Sequence, residues 1–272
     1  MLKKCVAWLA LAAVLMGAAP LPAVAQTIPD TKEFSIAAKG AVVIDAGSGR
    51  VYFAQNANGR LPMASTTKIM TALLALEQPD LDEPFVVDSA AIRVEGTSMG
   101  LKEGDTVTLR TLAHGMLLPS GNDAANAAAV RIAGSKDAFA ELMNEKAREL
   151  GLEDTHYVTP SGLDADGHYS SAYDLAILAA YALENPDFRE ICCKESAKVE
   201  FGNPPYGRWL KNHNKLLNLY PYAIGVKTGY TDDAKRCLVT AAQKDGVTLI
   251  AVTLAAQDDF NVHKKLYERY FG

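Results

Sequence analysis

The sequence predicts an α/β protein of the α+β type, with one antiparallel sheet built from both chain ends and packed with helices. Short apolar runs separated by tight turns occur near the start and near the end of the chain, as expected for β-hairpins. Apolar residues at helical spacing dominate the middle, so we expect an inserted helical region at approximately residues 81–215. A cleft between the sheet and this insertion is the natural place for a ligand.

The first 25 residues have the pattern of an export signal. Lys3 and Lys4 form a basic start, residues 5–19 are apolar, and Ala23 and Ala25 complete an A-x-A cleavage site. We therefore expect an exported protein, located in the cell envelope or secreted, with residues 26–38 as a polar lead-in. Membrane attachment is expected only if the signal stays uncleaved.

In the first part of the chain, alternation and turn residues predict strands, and apolar residues at i, i+4 and i+7 predict a buried helix. The predicted elements are a strand at 41–45, its hairpin partner at 51–54, a helix at 64–77, and short extended segments at 86–87 and 107–109.

In the rest of the chain, helices are predicted first and strands follow. The predicted elements are helices at 111–118, 124–132, 136–150 and 171–183, strands at 223–227, 237–242 and 247–254, and a closing helix at 260–271. Ser171 is a plausible cap of the fourth helix. The sequence does not assign residues 188–211.

Charge, cysteine and histidine content exclude several classes of protein and site. The formal net charge is −5, and removing the signal, which carries two lysines and no acidic residue, makes it −7. Nucleic acid is therefore not expected as a partner. Cys192, Cys193 and Cys237 form no C-x-x-C pair, so neither a zinc site nor a disulfide framework is predicted, although pairing between two of them stays open. The five histidines lack the spacing of metal ligands and are interpreted as structural or surface residues.

Ser65 and Lys68 are three residues apart at the start of the first predicted helix, so their side chains share one face. A lysine in a low-dielectric site has a depressed pKa and can take the proton of a neighbouring serine, which makes that hydroxyl a nucleophile. An S-x-x-K pattern occurs by chance about once in a chain of this length. The pair therefore needs support from other motifs.

Two further motifs provide that support. Ser120 and Asn122 flank a glycine in a turn between two predicted helices, and Lys227, Thr228 and Gly229 lie at the end of a predicted strand. S-x-x-K, S-x-N and K-T-G each occur once, in this order, on a helix, a turn and a strand. This is the motif set of penicillin-binding proteins and serine β-lactamases.

A second candidate nucleophile, Ser98, lies in a G-x-S-x-G pattern at residues 96–100. In α/β-hydrolases that pattern follows a strand and begins a helix. Here a turn follows it, so we reject the nucleophile elbow.

With the segments around Ser65, Ser120 and Lys227, the chain resembles the low-molecular-weight D-alanyl-D-alanine carboxypeptidases. Residues 98–101, 150–152 and 162–168 also look like segments of that family. The resemblance covers residue 39 to the end and implies a DD-peptidase catalytic domain at 39–272, with the fold of β-lactamases and DD-peptidases. It also implies that no metal or organic cofactor is needed.

The resemblance implies a role for each motif residue. Ser65 would attack the carbonyl between the two terminal D-alanines of a peptidoglycan stem pentapeptide, Lys68 would be the general base, and Ser120 would relay the proton to the leaving D-alanine. The residues expected to bind the substrate or its oxyanion are Asn122, Lys227, Thr228, Gly229 and Tyr230. β-Lactam antibiotics would acylate Ser65, and no obligate protein partner is expected.

The chain departs from the family pattern in three ways. Ser161 stands where relatives often carry a histidine, which leaves the details of deacylation open, and Lys235 stands where they commonly have glycine. The chain also ends after the closing helix, so a C-terminal β-rich domain and a membrane anchor are not expected.

Three alternative functions remain. A β-lactamase would share the acylation chemistry, but class A enzymes add a glutamate roughly 35 residues after the second motif, and here that neighbourhood holds His156. A DD-transpeptidase differs only in accepting an amine instead of water. A non-catalytic peptidoglycan-binding or regulatory module would not need the nucleophile and base.

Overall fold

The computed structural model describes residues 28–272, and the predicted signal at 1–25 lies outside the described residues. The strands of its main sheet are β1 Gly40–Asp45, β2 Val51–Gln55, β7 Ala223–Thr231, β8 Lys235–Lys244 and β9 Val247–Ala256. Two small antiparallel pairs are formed by β3 Phe85–Val86 with β4 Thr106–Val107, and by β5 Ser196–Gly202 with β6 Pro205–Lys211. The helices are α1 Lys68–Leu76, α2 Leu109–Leu117, α3 Asn122–Ala133, α4 Lys136–Glu149, α5 Ala172–Glu184, α6 Pro186–Cys192, α7 Leu216–Leu219 and α8 Asp259–Tyr270.

The main sheet is antiparallel, with the strand order β2-β1-β9-β8-β7. The first strand therefore pairs with the last, which confirms the predicted α+β class with a sheet made from both chain ends. Helices α2 to α6 and the β5–β6 hairpin lie between β2 and β7 in the sequence.

Both faces of the sheet are buried. In β1, Val42 and Ile44 contribute to the core shared with α1 and α5, whereas Ala41 and Val43 point to the opposite face, where α8 packs. Successive side chains of a strand alternate between faces, so a strand covered on both sides is a continuous apolar run. This explains why residues 41–44 carry no polar side chain.

The predicted helix at 64–77 is not a continuous α-helix. Residues Ala64–Thr67 form a 3-10 turn, and α1 begins only at Lys68. The hydroxyls of Thr66 and Thr67 donate to the carbonyls of Met63 and Ala64 at 2.6 and 2.8 Å. Such local side-chain bonds compete with the α-helical pattern and tighten the first turn.

One other assignment from the sequence needs correction, and the structure assigns a segment that the sequence had left open. Leu109 was expected to be extended, but α2 begins there, because the Thr108 side chain accepts from the Thr111 N–H and caps the helix. The unassigned residues 188–211 fall in α6 and in the β5–β6 hairpin. Asn185 caps α6 and Pro186 follows at its first turn, a start signal that was present in the sequence.

The other predicted elements lie close to their observed bounds, and the side chain of Ser171 caps α5 by accepting from the Asp174 N–H at 3.0 Å. Cys192, Cys193 and Cys237 are free thiols in the described chain. Among residues 28–272, no helix combines the length and apolar character needed to cross a membrane.

Candidate active site

Ser65 and Lys68 lie together where the 3-10 turn passes into α1. The Lys68 Nζ is 2.9 Å from the Ser65 Oγ. Ser65 is half-buried, whereas Lys68 is 0% exposed. The serine thus faces accessible space while the amine behind it is sealed from water.

Lys68 has two further partners, the Asn122 Oδ1 at 2.6 Å and the Ser161 carbonyl oxygen at 2.5 Å. Neither is a carboxylate, so no negative charge offsets the burial of the ammonium group at contact distance. Burial and the nearby charge of Lys227 hold the pKa of Lys68 well below its usual range. A lysine with a depressed pKa can be neutral and can accept the proton of the Ser65 hydroxyl.

Ser120 and Lys227 form a second serine–lysine pair. The Lys227 Nζ donates to the Ser120 Oγ at 3.0 Å and to the Thr228 carbonyl at 2.7 Å. Lys227 is 1% exposed, and burial lowers its pKa to about 7. Ser120 has a φ of 65°, an unusual backbone conformation for a serine, just before α3. The structure thus brings all three predicted motifs into one site.

Asn122 lies two residues after Ser120 and hydrogen-bonds to Lys68 of the first pair. Its Oδ1 accepts from Lys68, its Nδ2 donates to the Glu95 carbonyl at 2.8 Å, and its backbone N–H donates to the Thr97 carbonyl at 2.7 Å. The amide therefore has a fixed orientation at the beginning of α3.

Asp123 fastens the loop at residues 97–101 to α3, a role that the sequence reasoning missed. Its carboxylate accepts from the backbone N–H groups of Met99, Gly100 and Leu101 at 2.9 to 3.0 Å, and from the Ser98 hydroxyl at 2.5 Å. Ser98 is thus a loop-anchoring residue, in agreement with the rejection of a nucleophile elbow.

β7 brings the K-T-G motif to the Ser65 turn. The sequence placed this motif at the end of the strand, but the strand continues past it to Thr231. In the described part of the chain, β7 is an edge strand of the sheet. A Cβ atom at Gly229 would lie 3.0 Å from the Ser65 backbone nitrogen and 3.1 Å from the Ala64 Cβ. The close approach of the 3-10 turn therefore favours glycine at this position.

The residues on either side of Gly229 are partly or largely exposed. Thr228 is half-buried and Tyr230 is 61% exposed. Lys235 begins β8 with a φ of 59°, the conformation that glycine adopts most easily, and it still pairs with Thr231. The departure at Lys235 therefore leaves the strand pairing next to the motif intact.

The difference from relatives at Ser161 does not alter the contact with Lys68, because Lys68 donates to the backbone carbonyl of Ser161 and not to its side chain. Beside it, Thr67 and His168 form a buried hydrogen bond of 2.9 Å behind the Ser65 turn. The sequence classified the histidines only as structural or surface residues. The one signal for His168 was its place in the segment at residues 162–168.

This chain is similar to known proteins over most of its length. A family model described as D-alanyl-D-alanine carboxypeptidase matches residues 25–258. The chain is 37% identical over 266 residues to D-alanyl-D-alanine carboxypeptidase DacF of Bacillus subtilis, covering 94% of this chain and 67% of that protein. It is 41% identical over 211 residues to D-alanyl-D-alanine carboxypeptidase DacB2 of Mycobacterium tuberculosis, covering 77% of this chain and 72% of that protein.

Solved structures are similar over most of the chain. A D-alanyl-D-alanine carboxypeptidase from Mycobacterium tuberculosis H37Rv superposes with a TM-score of 0.82 at 35% identity, covering 91% of this chain and 94% of that one. The Streptomyces K15 DD-transpeptidase superposes with a TM-score of 0.78 at 32% identity, covering 88% and 95%.

Proposed function

Because this chain belongs to the D-alanyl-D-alanine carboxypeptidase family, we propose that Ser65 is the nucleophile that removes the terminal D-alanine from peptidoglycan stem pentapeptides. The contact that carries this assignment is the 2.9 Å approach of the Ser65 Oγ to the Nζ of the fully buried Lys68. A serine with an adjacent low-pKa amine is an activated nucleophile.

In the first step the Ser65 Oγ attacks the carbonyl carbon between the two D-alanines while its proton passes to the neutral Lys68. The negative charge then develops on the former carbonyl oxygen. The backbone N–H groups of Ser65 and Tyr230 stabilise it, and one such donor contributes ~3 kcal/mol to lowering the barrier.

In the second step the carbon–nitrogen bond breaks, Ser120 delivers a proton to the nitrogen of the departing D-alanine, and the proton that Lys68 took from Ser65 replaces the one that Ser120 gave up. The hydrogen bond of 3.0 Å between the Ser120 Oγ and the Lys227 Nζ supports this relay. Water then attacks the acyl-enzyme, which releases the shortened peptide and returns the proton to Ser65.

Substrate recognition uses the β7 edge. The stem peptide adds as a strand alongside Gly229, and Thr228, supported by the charge of Lys227, binds its terminal carboxylate. Asn122 hydrogen-bonds the peptide backbone. β-Lactams enter the same cleft and acylate Ser65.

A second candidate function is transfer of the acyl group to an amine instead of water. The observation that favours it is the similarity to a Streptomyces K15 protein named as a DD-transpeptidase in its solved structures. The two functions share every step up to the acyl-enzyme and differ only in the acceptor.

The test is intact-mass spectrometry of residues 26–272 after incubation with a penicillin, and then with a D-Ala-D-Ala peptide. A stable penicilloyl adduct on Ser65 together with release of D-alanine is expected, and Ser65→Ala should abolish both. An adduct that vanishes within seconds would indicate a β-lactamase, and neither adduct nor turnover would indicate a binding module. A product joined to an added amine would establish transpeptidation.

We also propose that the protein is exported, on the basis of the basic, apolar and A-x-A pattern of residues 1–25. An extracytoplasmic location gives the enzyme access to peptidoglycan. Mass analysis of the protein recovered outside the cytoplasm should give a chain that begins at Gln26, and an intact signal would indicate a retained anchor.

A further inference from the structure

The peptide group that joins Ala64 to Ser65 is held from behind by a buried hydroxyl. The Thr67 Oγ1 donates to the Ala64 carbonyl oxygen at 2.8 Å. Ala64 has a φ of 48°, which is a strained conformation for an alanine. A strained residue next to a nucleophile persists only if its surroundings hold it in place.

His168 hydrogen-bonds to Thr67 in turn, and its other contact determines which of its two ring nitrogens is the donor. The Val158 N–H donates to the Nδ1 of His168 at 3.0 Å, so this nitrogen accepts and carries no proton. The other nitrogen, Nε2, then carries the hydrogen and donates to the Thr67 Oγ1 at 2.9 Å. A chain of hydrogen bonds therefore runs from the Val158 N–H through His168 and Thr67 to the Ala64 carbonyl.

The surroundings of these hydrogen bonds exclude water and keep His168 in its neutral form. Thr67 is fully buried and His168 is 6% exposed. Burial, with a smaller contribution from His156, lowers the pKa of His168 to about 4, so the ring stays neutral at physiological pH. Gly162 closes the other side, since a Cβ atom there would overlap the Ala64 carbonyl oxygen and would lie 2.9 Å from the Thr67 Oγ1.

We propose that Thr67 and His168 are positioning residues that aim the Ser65 N–H at the developing oxyanion. The Ala64 carbonyl and the Ser65 N–H belong to one planar peptide group, so a bond that fixes the oxygen also fixes the N–H. A hydrogen bond to the carbonyl additionally polarises the N–H and strengthens it as a donor. This inference rests on the proposed function, in which Ser65 is acylated.

The first test compares Thr67→Val with Thr67→Ser. Valine keeps the shape of threonine but has no hydroxyl, whereas serine keeps the hydroxyl. We expect Thr67→Val to lower the rate constant of acylation by a penicillin at least tenfold, with an unchanged dissociation constant for the non-covalent complex, because only the transition state carries the oxyanion. Thr67→Ser should keep most of the rate. Equal acylation rates in the two variants would overturn the proposal.

The second test separates the two nitrogens of His168. Glutamine can donate from the position of Nε2 but cannot accept at Nδ1, whereas asparagine can accept at Nδ1 but does not reach Thr67. We expect His168→Gln to retain acylation better than His168→Asn, although His168→Asn preserves the bond to the loop at residue 158. The reverse order would mean that His168 only holds that loop, and would refute the positioning role.

A double-mutant cycle gives a readout that a general loss of stability would not mimic. If His168 acts through Thr67, His168→Asn should slow acylation in the natural protein but cause little further loss in Thr67→Val. If the losses in acylation rate were additive, His168 would not act through Thr67. If the His168 variants do not fold, the Thr67 pair decides alone. Failure of the natural protein to be acylated would instead refute the proposed function itself.

Discussion

Lys68 and Lys227 are two buried amines in one cleft, each beside a different serine. The charge of Lys227 contributes to the depressed pKa of Lys68, and the pKa of Lys227 is itself lowered to about 7. Holding Lys227 charged therefore helps to keep Lys68 neutral, as a general base must be. One lysine, Lys68, thus acts as the neutral base, and the other, Lys227, provides the positive charge.

Substitution of Lys227 by arginine tests this division through the pH profile of acylation. Lys227 is protonated below about pH 7 and loses its charge above it, so acylation by an anionic penicillin should decline as the pH rises past that value. In Lys227→Arg the side chain stays charged, so this decline should disappear even if the maximal rate falls. The profile is measured from pH 5 to 10 by stopped-flow acylation. A decline that persists at the same pH would assign it to another group.

Substitution of Gly229 by alanine tests the close approach of β7 to the Ser65 turn. The added methyl group would lie 3.0 Å from the Ser65 nitrogen and obstruct the proposed oxyanion donor. We expect acylation to fall by about 100-fold, the order of magnitude for loss of one such donor. Gly47→Ala is the matched control, since a methyl group there meets only the Asp45 Oδ1 at 3.4 Å. Equal rates in the two variants would show that Gly229 is not needed for acylation.

At the scale of elements, the first turn of α3 and the loop at residues 97–101 form one unit through Asp123. Asp123 is 1% exposed and accepts from several backbone N–H groups, whereas asparagine would direct N–H groups at some of these donors. We expect Asp123→Asn to lower the free energy of unfolding by about 2 kcal/mol, since hydrogen bonds to charged groups are the stronger ones. Urea unfolding measures this loss.

The same substitution should also slow acylation, because Thr97 of this loop is hydrogen-bonded to the backbone of both Ser120 and Asn122. Ser98→Ala is the control, since it removes only one bond to the carboxylate. If both variants lost the same small amount of stability, the backbone contacts of Asp123 would contribute little.

Helix α8 is attached to the sheet by a buried polar network around His263. The ring contacts the hydroxyls of Thr240 and Thr253 at 2.6 and 3.0 Å, and burial lowers the pKa of His263 to about 3. In the unfolded chain its pKa returns to about 6.5. Above that value neither state binds the proton and the contribution to stability is complete. Between about pH 6.5 and 3 only the unfolded chain binds it, so stability falls as the pH falls.

This dependence predicts that His263→Gln loses less stability than the natural protein between pH 7 and pH 5. One histidine contributes a slope of roughly 1.4 kcal/mol per pH unit below 6.5, so the two losses should differ by about 2 kcal/mol. His168, whose pKa is also lowered, titrates in both proteins and cancels from the comparison. Urea unfolding at the two pH values gives both losses. Identical losses would mean that His263 does not control this range.

The sequence predicted elements well where the signals were local, and poorly where distant contacts decided. Ser171 was identified as a cap from its position alone. The 3-10 turn before Lys68 is tightened locally by the Thr66 and Thr67 hydroxyls, but it also packs against β7 and the loop that contains Gly162, and the sequence does not reveal these distant contacts. Asp123 and His168 were missed because each contacts a segment far away in the chain. The role of Thr67 was missed because it depends on the bond to the distant His168.

At the scale of the whole molecule, the motifs were easier to predict than their mutual geometry. Their order and residue types placed Ser65, Ser120 and Lys227 in one cleft before any distance was known. The depressed pKa values of the two lysines follow from complete burial, which a sequence does not display.

The strand order β2-β1-β9-β8-β7 has a consequence for how the enzyme matures. The strand that joins its two halves, β9, follows every proposed site residue in the sequence, since all of these residues precede residue 231. Non-local pairing of this kind is slow, and the two halves of the sheet cannot join before β9 is present. Labelling by penicillin therefore reports when the sheet has formed. A chain truncated after Lys244 contains every proposed site residue but lacks β9, so we expect it to take up no label.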